Sequence, residues 1–261
     1  MSTTRNTASR VQDSTALHAL ARAGFAMNGV LHLLIGGLAL AVAFGGSETA
    51  DQNGALSAVA SHPGGIVLLW VIVVGMFALA LFQLLTAILV PGSDKDAWVS
   101  RAKEGGKAVA YAAVGVTALQ FAMGSGGGGD QAESLSGKLL ATPGGVILLV
   151  IVALGVLAIG AYFIVKGAKK KFLDDLTTQG GKATRVLGSL GYIAKGVAIA
   201  IVGLFFGVAA FTSDADAATG LDGALKSLVD LPLGPVLLTI VALGLVAYGL
   251  YCFARARWAK L

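Results

Sequence analysis

The chain has 261 residues, 56% of them hydrophobic and only 13% charged, with a net charge of +5 and a mean hydropathy of +0.81. Soluble globular domains carry about 25% charged residues; half that share cannot coat a globule in water, so much of the apolar surface must lie in lipid. The basic residues form bands at the ends of apolar runs rather than one patch, which argues against nucleic acid as a partner, and the single Cys252 excludes an intramolecular disulfide framework or a multi-cysteine metal site.

Residues 1–19 read as a cytoplasmic tail. Six apolar runs follow, at 23–45, 64–90, 108–124, 144–166, 188–211 and 233–254. Each is near the roughly 20 residues that a bilayer-crossing helix needs. The first run is longer than the roughly 7–15 residues of a signal-peptide core, so it reads as a retained span. The third is the shortest, bounded by Lys107 and by the glycine-rich stretch Gly124–Asp130, which lacks the Lys-Ser/Thr of a phosphate loop and reads as a flexible linker.

Orientation follows from the basic residues, since short loops rich in Lys and Arg stay cytoplasmic. The N-terminal segment has Arg5, Arg10 and Arg22, and the second loop has Lys95, Arg101, Lys103 and Lys107. The fourth has Lys166, Lys169, Lys170, Lys171, Lys182 and Arg185, and the C-terminus has Arg255, Arg257 and Lys260. The three alternate loops hold only Lys138 and Lys226, against the acids Glu48, Asp51, Asp130, Glu133, Asp214, Asp216, Asp222 and Asp230. Both termini are therefore expected in the cytoplasm.

The chain aligns on itself as three two-helix units, at 20–90, 91–168 and 169–261. Pro63, Pro143 and Pro232 each precede the second apolar run of a unit, and Gly75, Gly155 and Gly244 fall twelve residues later. In the first runs, Phe25 to Val30 matches Tyr111 to Val116 and Tyr192 to Val197, around Gly29, Gly115 and Gly196. Seven residues on come Gly36, Ala122 and Gly203. That spacing is two helical turns, so each pair shares a face on which helix backbones can approach closely. Two spans per unit make successive units parallel, related by an axis along the membrane normal. The expected architecture is an all-α membrane protein of six transmembrane helices with approximate threefold pseudosymmetry.

The opening of the first helix, as at Tyr192–Val197, preceded by a basic flank, resembles the domain of unknown function 1206 family. So does the Pro-Gly-Gly start of the second helix, at Pro63–Gly65 and Pro143–Gly145. The resemblance covers about residues 20–255 and implies three copies of a two-helix unit in a bacterial plasma-membrane protein. It implies no activity and no functional residues. The string Ala194-Lys195-Gly196-Val197 is typical of the family, but only the third unit keeps the lysine; Asn28 and Val114 stand in its place in the others.

Lys195 is the single charge inside a span, where a central lysine costs about 2.5–3.5 kcal/mol on insertion scales. Asn28 aligns with it, His32 lies one turn beyond Asn28, and Gln120 lies about half a turn further out than His32. If the first helices line the pseudosymmetry axis, Asn28, His32, Gln120 and Lys195 form one polar cluster. His32 could then titrate near neutral pH and move a proton, whereas the plainer reading is interhelical hydrogen bonding. Gln83 and Tyr162 read as interfacial anchors, as do Trp70 and Trp258. No catalytic, metal or cofactor constellation is present. The expectation is a non-enzymatic structural or interaction component of the membrane, embedded in lipid beside other membrane proteins. The alternative is a small transporter or channel with its pathway near the axis.

Overall fold

The computed structural model describes residues 8–126, 131–178 and 180–261. Arg5, the glycines 127–129, Asp130 and the Glu133 side chain lie outside the described residues. The architecture is all-helical: α1 Thr15–Ala43, α2 Gln52–Ala60, α3 Gly65–Leu89, α4 Lys95–Ala122, α5 Gln131–Leu140, α6 Gly145–Ala168, α7 Lys182–Thr212, α8 Leu221–Lys226 and α9 Gly234–Trp258. Single 3-10 turns cover Lys171–Asp175 and Ala215–Ala217.

Among the described residues, five helices are long and apolar enough to cross a membrane: α1, α3, α6, α7 and α9. They mark the chain as a membrane protein. Their outward faces are apolar, as at Ile147, Leu154, Phe211 and Leu243, all exposed, which suits lipid and not water. The expected third span is the second half of α4. This 28-residue helix carries Lys95, Asp96, Arg101, Lys103, Glu104 and Lys107 in its first half. Its apolar half is built largely from Ala, Gly and Val, so it is shorter and less apolar than the other five.

The same corner starts each second helix. Gly65, Gly145 and Gly234 donate their N–H to the carbonyls of His62, Thr142 and Leu231, at 2.9, 2.9 and 2.7 Å. The prolines therefore stand two residues ahead of the helices, inside a β-turn, rather than in the first helical turn. Gly64 (φ 79°, ψ −1°) and Gly144 (φ 79°, ψ 5°) fill the position where a type II turn demands positive φ. The third unit puts Leu233 there, at φ 61°. The glycine after it is required sterically: a Cβ on Gly65, Gly145 or Gly234 would fall on the carbonyl oxygen of Val59, Leu139 or Val229. Each corner is preceded by a short helix, α2, α5 or α8, in the acid-bearing loops. Ala55, Leu56, Ala224 and Leu225 are fully buried there. These helices are too short for hydrophobic periodicity to register.

The chain forms two compact units, Met1–Val30 with Leu56–Gly126 and Cys252–Leu261, and Leu31–Ala55 with Gly127–Tyr251. In the first, α3 packs along α4. The start of α1 crosses α3 at Gly24 and Gly75, where a Cβ on Gly75 would stand 2.8 Å from the Gly24 Cα. Ile72, Met76 and Leu79 of α3 are fully buried, and Phe25 meets Tyr111 edge-on at 6.5 Å.

In the second unit, α6 packs along α7, and the end of α1 lies on α9. A Cβ on Gly203 would stand 2.9 Å from Leu157, and one on Gly36 would stand 2.7 Å from Val246. Leu157 and Val246 each lie two residues past the aligned glycines Gly155 and Gly244. One interlock is thus made twice, each time between the second helix of one repeat and the first helix of another. Gly155 itself faces open space, so close packing is the role of Gly75 and Gly244 but not of Gly155.

Candidate polar core

In the second unit the half-buried Lys195 side chain of α7 meets side chains of three other helices. Its Nζ lies 3.1 Å from His32 Nε2 of α1. It stands over the Tyr248 ring of α9, 4.3 Å from the centroid, and 5.6 Å from that of Phe163 on α6. The imidazole of His32 itself packs on Tyr248, with ring centroids 4.7 Å apart. An ammonium has three N–H donors and no acceptor, so with Lys195 charged it donates to His32 Nε2, and the imidazole proton resides on Nδ1. The aromatic faces meet the remaining positive charge with the negative side of their quadrupoles, a contact that strengthens when desolvated.

Behind this pair lies an aromatic nest. Tyr248 meets Tyr192 edge-on at 5.1 Å, and Tyr192 stacks on Phe172 at 5.4 Å. Phe172 belongs to the 3-10 turn that follows α6, folded back under the bundle. Its ring occupies a notch that only glycine at 188 leaves open, since a Cβ there would fall on the ring. Tyr251 donates its hydroxyl to the Phe172 carbonyl at 3.4 Å. The strap is pinned again by Lys166, whose Nζ meets Asp175 Oδ2 at 2.6 Å with the lysine side chain only 7% exposed. The same ammonium stands over Tyr192 at 5.3 Å. An ion pair half-sunk among aromatic rings is less screened than a surface pair.

Of the four residues that the sequence groups, His32 and Lys195 are in direct contact. Asn28, in the first unit, donates from Nδ2 to the Cys252 sulfur at 3.4 Å, and both are buried. Gln120 is exposed in the last turn of α4. Gln83, expected at the interface, is buried at 5% exposure. Trp70 is exposed. Sequence reasoning missed the partners of Lys195: Tyr248 was visible only as an aromatic in a second helix, and Lys166 only as one of a basic run. The acid three residues past Lys171, followed by a second acid, was the available signal that this loop answers its own charge.

The basic end of the first unit is also bound internally. Arg22 donates to the Arg257 carbonyl at 2.8 Å, and the Arg255 guanidinium lies over Phe25 at 4.3 Å. Beside α9 in the second unit, an apolar groove of about 490 Å³ is lined by Leu190, Ile193, Val197, Leu237 and Ile240 among others. No group of three or more His, Cys, Asp or Glu able to hold a metal ion occurs among the described residues.

A family model described as "Domain of Unknown Function (DUF1206)" matches three times, at residues 23–89, 104–170 and 190–259. The chain is also similar to an uncharacterised protein of Bacillus subtilis (strain 168), YxxB. The two are 30% identical over 242 residues, which cover 90% of this chain and 88% of the other. No solved structure matches the chain. With three consecutive matches spanning both compact units, the chain belongs to the DUF1206 family.

Proposed function

We propose that the protein is a structural and interaction component of a bacterial plasma membrane: six spans, both termini cytoplasmic, three repeats around a pseudo-threefold axis. The 16-to-2 division of basic residues between alternate loops supports the orientation. The second half of α4 supplies the sixth span, with its charged first half on the cytoplasmic side. The recurrent interlock of Gly36 with Val246 and Gly203 with Leu157 supports a packing that recurs between repeats.

One observation carries the functional reading. The Lys195 ammonium, deep in α7, is met by protein groups, with His32 Nε2 at 3.1 Å and two aromatic faces. A pathway lysine serves a mobile solute by keeping part of its coordination open to it; Lys195 is instead spent on joining helices of different repeats. Purified protein in proteoliposomes is expected to carry neither protons, alkali cations, halides nor amino acids above the rate of empty vesicles. Saturable flux of any of these, abolished by Lys195→Met, would overturn the reading.

The transporter reading has one observation in its favour. His32 and Lys195 are both proton-bearing groups in direct contact, and proton relays in pumps are built from neighbouring ionisable side chains, histidine among them. The same flux assay with a pH-sensitive dye inside the vesicles decides it.

A further inference from the structure

We propose that the His32–Lys195 pair is an acid-sensitive link between the first and third repeats, formed with one proton at the junction and loosened by a second. An ammonium facing a nitrogen 3.1 Å away needs that nitrogen to accept. Imidazolium has donors on both nitrogens, so protonation of His32 replaces a hydrogen bond with two donors and two like charges face to face. Like charges a few ångströms apart repel strongly away from bulk water.

The rings that face the junction carry no full negative charge. From α9 it meets Tyr248, which packs on His32 at 4.7 Å. From α6 it meets Phe163, 5.6 Å from the ammonium. The next shell holds Tyr192 of α7 and, beyond it, Lys166, whose carboxylate partner Asp175 is already engaged at 2.6 Å. The sequences of α1, α6, α7 and α9 contain no Asp or Glu. The contact is therefore present while His32 is neutral and lost as pH falls. Two other histidines, His18 and His62, lie outside the junction and are common to all three proteins compared below.

The inference rests on the pair being a structural link, yet the two fail separately. Solute flux would overturn the structural reading and leave the pH response standing; a missing pH response would leave a pH-insensitive link.

The test follows thermal unfolding of the full-length protein in detergent between about pH 8 and pH 5, for wild type, His32→Gln and Lys195→Met. Wild type is expected to lose about 2–4 °C more than either variant on acidification, the shift one modest interaction gives in a chain this long. Equal losses in all three would overturn the proposal. Nitrogen NMR of the histidine rings, assigned on the unmodified chain, makes the test independent of how the variants fold. At pH 8 it should find Nε2 of His32 bare and Nδ1 protonated. A protonated Nε2 at pH 8 would contradict the link.

Discussion

Lys195 Nζ and His32 Nε2 lie 3.1 Å apart, on α7 and α1, helices that open the third and first repeats. This contact converts an expensive intramembrane charge into a cross-repeat tie. Removing the acceptor alone leaves a sheltered donor without its partner, which costs about 1–3 kcal/mol. His32→Leu is therefore expected to destabilise more than His32→Leu/Lys195→Met, because an apolar replacement of both partners is often close to neutral. A double-mutant cycle on thermal unfolding in detergent measures this, and the coupling should exceed about 0.5 kcal/mol.

The strap behind the pair makes a second prediction. Asp175→Asn removes the carboxylate from Lys166, whose side chain is 7% exposed. The strap should loosen, with faster hydrogen exchange over residues 171–176 and a loss of about 1–3 kcal/mol. Gly188→Ala should loosen it from the other side, because the added Cβ falls on the Phe172 ring.

The glycines divide into two classes that alanine separates. On Gly196 a Cβ would stand 2.6 Å from the Gly160 carbonyl oxygen, whereas on Gly155 it would meet nothing. Gly196→Ala is expected to cost about 1–3 kcal/mol through overpacking. Gly155→Ala should be neutral or stabilising by about 0.5–1 kcal/mol, the ordinary gain of alanine over glycine in a helix. Unfolding midpoints of the two variants check the order.

The corners offer a substitution expected to stabilise. Leu233 holds φ 61° where the other repeats have glycine at φ 79°. A left-handed conformation costs an L-residue roughly 1–2 kcal/mol. Leu233→Gly should recover part of that, and Gly64→Ala and Gly144→Ala should each lose a similar amount. A Leu233→Gly midpoint below wild type would mean the leucine side chain contributes more than its backbone strain removes.

Much of the fold is legible in the sequence because it is written three times. Periodic apolar runs and the recurring Pro and Gly positions give the repeats, and close packing at Gly36 and Gly203 follows from small residues on one face. Where the reading stops short, a physical cause is identifiable. Pro63 marks the corner but cannot say that the helix waits for Gly65, since a type II turn depends on the residue after the proline. Lys195 and His32 announce themselves as costly polar groups in lipid. Tyr248 and Phe163 do not, because an aromatic ring in an apolar helix looks the same whether it faces lipid or an ammonium. Gln120 shares the polarity of His32 but not its burial, which alignment depth alone does not supply.

The most direct test of the account is aqueous access to the polar core. In a Cys252→Ser background, single cysteines at positions 28, 32 and 195 are exposed to a membrane-impermeant thiol reagent from each side of sealed vesicles. A cysteine at the exposed Lys169 serves as the labelling control. A packed structural core predicts labelling at 169 from the cytoplasmic side only, and none at 28, 32 or 195 from either side. Rapid labelling at 32 and 195 would contradict it, because water would then reach the ammonium and a solute path would be the better account of this chain.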